Sequence, residues 1–109
     1  MDSDQFLIAL TTLPAEHDAE QFASHLVDER LAACVNILPP VRSVYRWKDT
    51  MERASETQLI IKTTRDQIER LEARIREMHP YEVPEFLVIS VAHGGSAYLS
   101  WVRDSTVKP

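Results

Sequence analysis

Two strand–helix–strand units within 109 residues predict an α+β fold, with one antiparallel sheet and both helices on one face. Three observations carry this prediction. The segments LIALTT (7 to 12) and LIIKTT (59 to 64) are near-repeats, each an apolar run ending in a Thr-Thr pair. Each is followed by apolar residues at helical spacing, and each helix leads into a further apolar run. This order is that of the ferredoxin-like split βαβ arrangement, expected as a single domain over residues 1 to 109.

The elements follow in order. After LIALTT, the residues Ala19, Phe22, Ala23, Leu26 and Val27 recur at helical spacing, and Pro14 and Glu16 suit a first turn. ACVNIL (33 to 38) is the second strand. Strand character then continues from Cys34 to about Lys48, interrupted at Pro39-Pro40, and returns from about Arg53 to Thr64. Asp49 and Thr50 are the expected hairpin tip. These strands exceed the usual five or six residues, so part of the hairpin should project beyond so small a body. A ribbon carrying Val41, Val44, Tyr45 and Trp47 leaves unpaired edges and apolar side chains in water. A second copy of the chain would satisfy both, so a homo-oligomer is expected. The Pro-Pro step suits a bend or bulge. Ile68, Leu71, Ile75 and Met78 form the apolar stripe of the second helix, and Thr64 and Gln67 have the spacing of a capping box. EFLVISVA (85 to 92) is the last strand, and AYLSWVR (97 to 103) is a short helix after Gly94-Gly95.

Composition narrows the function. Charged residues make up 27% and apolar residues 44%, the balance of an ordinary globular protein. The net charge of -5 argues against a nucleic-acid partner. Arg70, Arg74 and Arg76 are interleaved with Glu69, Glu72 and Glu77, a pattern that reads as a solvated helix face. Cys34 is the single cysteine, which excludes an intrachain disulfide and fits a cytoplasmic setting. No segment approaches membrane-spanning length, and the start, MDSDQFLIAL, lacks the basic region of a signal peptide. No Gly-rich phosphate loop, paired CxxC, HExxH or GxSxG is present.

His79 is the leading single candidate, at the end of the second helix and just before Pro80. A neutral imidazole there suits a metal or a proton, while the plainer reading is a helix-terminal histidine favoured by the dipole. Tyr81, Glu82 and Glu85 follow it between two prolines, either as companions of a metal or as solvated loop charges. On the third strand Glu56 shares a face with Gln58, Ile60 and Lys62, opposite Thr57, Leu59 and Ile61. Glu56 and Lys62 suit a ligand carboxylate or phosphate, or equally a weak cross-strand ion pair. Cys34 reads as a small buried hydrophobe, and His17 and His25 as surface residues.

The motifs ERLAACVNI, YRW, ETQLIIKTT, HPYEVPE and YLSWV, in this order from about residue 7 to 103, resemble the CutA family of divalent-ion tolerance proteins. The resemblance implies a ferredoxin-like fold assembled as a homotrimer through its long hairpins, similar in architecture to PII signalling proteins. It implies a role in tolerance of copper and other divalent ions, without catalysis. Bacterial members credited with copper binding carry a cysteine at the position of Thr11 and a histidine pair where this chain has Met78-His79. His79 is therefore the metal residue that the resemblance implies, with weakened copper affinity. Copper or another divalent cation would be a ligand that folding does not need. The family's other recurring polar positions fall on Glu56, Lys62, Thr63, Tyr81 and Glu85, expected to meet in a cleft between subunits that takes a metal ion or small anion. Asp49 stands where the family usually has a glycine. Two other readings are a structural or signalling trimer supporting a partner protein, and an enzyme using His79 and Tyr81 for proton transfer with Lys62 as electrophile.

Overall fold

The structure, a computed structural model, describes residues 5 to 107; the first four residues of the MDSDQFLIAL start lie outside it. The elements are β1 (Phe6–Pro14), α1 (Ala19–Asp28), β2 (Cys34–Ile37), β3 (Val41–Trp47), β4 (Thr50–Thr64), α2 (Ile68–Met78), β5 (Leu87–Ser90) and α3 (Ser96–Ser105). The sheet runs β2–β4–β1–β5, with β3 also paired to β4, and every pairing is antiparallel. This is the ferredoxin-like order with its second strand divided in two.

One side of the sheet is closed by α1 and α2. Ala9, Leu13, Leu59 and Ile61 point to that side and pack with Phe22 and Leu26 of α1 and Leu71 and Ile75 of α2. Ile68 and Met78 complete the predicted stripe of α2 against this core. Val27, assigned to the apolar face of α1, is instead exposed. α3 lies on the opposite side, over one end only, where Val102 and Leu99 meet Phe6 and Ala33.

Two helix starts differ from expectation. Pro14 closes β1 opposite Glu56, and α1 begins later, with Asp18 as its N-cap accepting from the Gln21 amide at 3.0 Å. A short-chain carboxylate before the first turn is a strong start signal, and it outweighs the proline. The Thr64/Gln67 capping box does not form, because a single 3-10 turn (Arg65–Gln67) separates Thr64 from α2. Gln67 instead donates to the Thr106 carbonyl at 2.6 Å, and the Thr64 hydroxyl lies 3.5 Å from that of Thr106. Both side chains thus tie the start of α2 to the end of α3.

The long hairpin is present, with β4 reaching 15 residues. Its tip is Lys48-Asp49 rather than Asp49-Thr50, since Thr50 pairs with Trp47. Lys48 and Asp49 have φ of 50° and 67°, the left-handed pair that a two-residue turn of the right twist requires. Asp49 fills the glycine position at a conformational cost, and the turn still closes.

At Pro39-Pro40 the partner strand carries a bulge. Ile37 pairs with Leu59 and Val41 with Glu56, so four steps on one strand match three on the other. The bulge reverses which residues face which side. In β2 the odd-numbered Val35 packs toward α1 and α2. In β3 the odd-numbered Val41, Tyr45 and Trp47 align with Glu56, Glu52 and Thr50, on the other side of the sheet. There they extend a row made by Ile60, Leu10, Leu87 and Ile89. Leu87 and Ile89 are 57% and 51% exposed, so this apolar side is largely uncovered within one chain.

Candidate functional site

The HPYEVPE segment meets the sheet where β5 begins. Pairing between β1 and β5 ends at Leu10 and Leu87, which leaves the Thr12 carbonyl, on the β5 side of β1, for another donor, while the Thr11 carbonyl faces β4. Gln58 Nε2 donates to the Thr11 carbonyl at 2.9 Å and to Glu85 Oε2 at 3.1 Å. His79 takes the Thr12 carbonyl at 2.6 Å through Nε2. A carbonyl only accepts, so Nε2 carries the proton. The other ring nitrogen, Nδ1, accepts the Tyr81 amide at 3.1 Å. The imidazole is thus a neutral, fixed tautomer with both nitrogens in use. Burial holds its pKa below the ordinary histidine value, with the nearby His17 adding in the same direction and the Thr12 carbonyl opposing.

Tyr81 is turned by this lock toward β4. Its hydroxyl donates to Glu56 Oε2 at 2.7 Å, and its ring lies 4.9 Å from that of His79, centroid to centroid. Burial and the Glu56 carboxylate push the phenol well above its usual pKa, so Tyr81 is a donor, not a base. Glu56 itself is only 7% exposed although it sits on the open side of the sheet. A buried carboxylate held by a phenol is the most constrained polar pair at this end of the molecule.

The structure therefore brings Glu56, Tyr81, Glu85 and His79 together and adds Gln58 as the link between strand and loop. It sets Lys62 and Thr63 apart. Six residues of strand put Lys62 about 20 Å from Glu56 along β4. Thr63 points into the core, where its hydroxyl donates to the Leu31 carbonyl at 2.7 Å. Gln58 was visible in the sequence as a member of the Glu56 face, but its partners lie 27 and 47 positions away.

A family model described as "CutA1 divalent ion tolerance protein" matches residues 7–105. The "Divalent-cation tolerance protein CutA" of Thermus thermophilus is 42% identical over 99 residues, covering 91% of this chain and 96% of that protein. The human "Protein CutA" is 42% identical over 98 residues, covering 90% of this chain and 55% of its own length. A solved structure of the Thermus thermophilus divalent cation tolerance protein superposes with a TM-score of 0.90 at 41% identity, over 94% of this chain and 99% of the other. This chain belongs to the CutA1 divalent ion tolerance family. Its fold is that of solved CutA1 structures.

The copper set implied by the family resemblance does not match the donors here. His79 has no free lone pair in this arrangement. Thr11 offers a hydroxyl that is fully buried and has no hydrogen-bond partner among the described residues, in place of a thiolate. The Met78 side chain packs against the core of α1 and α2. Among the described residues no group of three His, Cys, Asp or Glu side chains is placed to hold a metal. No helix among them is long and apolar enough to cross a membrane.

Proposed function

We propose that this CutA1 family member acts in the response to divalent metal ions, copper among them, as a cytoplasmic, non-enzymatic homotrimer. Its ligand, a metal ion, sits where the Glu56–Tyr81–Glu85 end of one chain meets the ribbon of the next. The observation that carries this reading is the uncovered apolar side of the sheet. Val41, Tyr45 and Trp47 of the ribbon and Leu87 and Ile89 of the body form it, each at least a third exposed. A surface of that kind is too apolar to remain in water and fits a self-association interface. Glu56 lies on the same side, paired directly with Val41, so a neighbouring chain packed on this face would roof the Glu56–Tyr81 pair. An ion held there meets carboxylate and phenol oxygens, donors that suit hard cations better than copper. His79 acts as a positioning residue, fixing the loop that presents Tyr81.

Light scattering combined with calorimetric titration tests this. The native protein should have about three times the 12.5 kDa mass of one chain. Cu(II), Zn(II) and Mn(II) titrations should show binding weakened at least tenfold by Glu56→Gln, with the mass unchanged. A single-chain mass would remove the assembly from this account, and equal binding by the two proteins would remove the cleft.

A further inference from the structure

A second cavity lies on the same side of the sheet but at the opposite end, under α3. Its volume is about 190 Å³. Phe6, Leu99 and Val102 form its apolar wall, and Lys62, His93 and Tyr98 supply the polar groups around it. Phe6 and Val102 are 2% exposed, whereas His93 and Tyr98 are open to solvent, so the floor is dry and the rim is wet. The chain has 17 Asp and Glu residues, yet among the described residues none lines this cavity.

Lys62 is the unusual member. It points to this side from near the C-terminal end of β4, half-buried, between Cys34 and Ile8 on the neighbouring strands. Its ammonium donates to Asn36 Oδ1 and lies 3.9 Å from Cys34 Sγ. Neither partner is a carboxylate, and among the described residues no carboxylate pairs with it. A partly desolvated cation without a counter-charge favours an anion, and an ammonium has three donors of which two are used here. The first turn of α3, next to the cavity, has no side-chain cap, so its electrostatic sense is also positive.

The remaining wall constrains size. A Cβ at Gly94 would come within 2.9 Å of Leu99 Cδ2, so a larger residue there would displace the Leu99 side chain that lines the cavity. The volume is below that of clefts for drug-sized ligands, but an apolar cavity of roughly 150 Å³ accepts benzene. We infer that this cavity is a binding site for a small monocarboxylate with a compact apolar body. The carboxylate pairs with Lys62 at the rim, and the apolar body lies against the wall that Phe6, Leu99 and Val102 form. This goes beyond the metal-response reading, since it needs neither a metal nor a residue from a neighbouring subunit.

Benzoate is a suitable probe, with benzamide as its uncharged counterpart. The native protein, kept in its natural assembly state, is titrated with each while backbone amide NMR shifts are followed. Saturable benzoate shifts should centre on Lys62, Gly94 and Leu99, and benzamide should bind at least tenfold more weakly. Lys62→Gln should weaken benzoate at least tenfold and leave benzamide nearly unchanged. Equal affinity for the two probes in the native protein would overturn the proposal without reference to any variant. So would full benzoate affinity in Lys62→Gln. Absence of saturable shifts, as when a neighbouring chain already fills the cavity, would overturn it too. The mass recorded in the same sample shows whether the trimer reading stands independently.

Discussion

For a buried histidine, burial and hydrogen bonding together decide its charge. His79 is depressed below its unfolded value near 6.5 because burial disfavours the charged ring, with the nearby His17 acting in the same direction against the Thr12 carbonyl and Glu56. The sign follows from proton binding: the unfolded chain takes up the proton first, so the neutral ring stabilises the fold above about pH 6.5. That contribution declines as the pH falls from there toward the folded pKa. Urea denaturation at pH 7.5 and 5.0 should show a larger loss of stability in the native protein than in His79→Gln, whose amide does not titrate. Equal losses would mean that His79 is not the group responsible. At this scale the sequence was legible in part. Alternation along ETQLIIKTT placed Glu56, Gln58 and Lys62 on one face, and they are on one face. It could not reveal that Tyr81, 25 positions later, would donate to Glu56, or that both His79 nitrogens would be taken. Those are contacts between distant parts of the chain, with no local pattern to announce them.

Among the elements, the hairpin tip is the most strained feature with an evident remedy. Lys48 and Asp49 both hold positive φ, which side chains with a Cβ resist. Replacing the pair by Asn-Gly should stabilise the protein by about 0.5–1 kcal/mol, read as a higher thermal midpoint. A lower midpoint would show that the Lys48 or Asp49 side chain makes a contact worth more than the strain, such as the stacking of Lys48 on Trp47 at 5.7 Å. Periodicity located α1 and α2, because the apolar stripes that bury them are local properties of the chain, and strand-favouring runs and turn residues located the strands and α3. Boundaries were harder. Thr64 and Gln67 match a capping box in spacing, yet Thr106 competes for both from the far end of the sequence. Pro14 resembles a helix start only until Asp18 is seen to cap the helix.

For the whole molecule, the uncovered side of the sheet is the decisive property. Leu87→Asp puts a charge in the middle of that side, where one chain alone tolerates it because the position is 57% exposed. In an assembly the same charge would be desolvated at a cost of several kcal/mol. The variant should therefore keep its circular dichroism spectrum and fall to the mass of one chain in light scattering. An unchanged mass would move the interface elsewhere. The projecting hairpin was legible from strand length, and the exposure of Tyr45 and Trp47 from their place on it. The side they occupy was not, because the single extra residue at Pro39-Pro40 shifts the alternation along the chain. That residue is also dispensable to the pairing. Removing one residue between Leu38 and Pro40 would let three steps match three, so Ile37 would still face Leu59 and Val41 would still face Glu56. Val41, Tyr45 and Trp47 would keep their side of the sheet, because their partners on β4 set it. What the ribbon would lose is the local bend and extra twist that a bulge confers, so the same apolar side chains would be offered in a different direction.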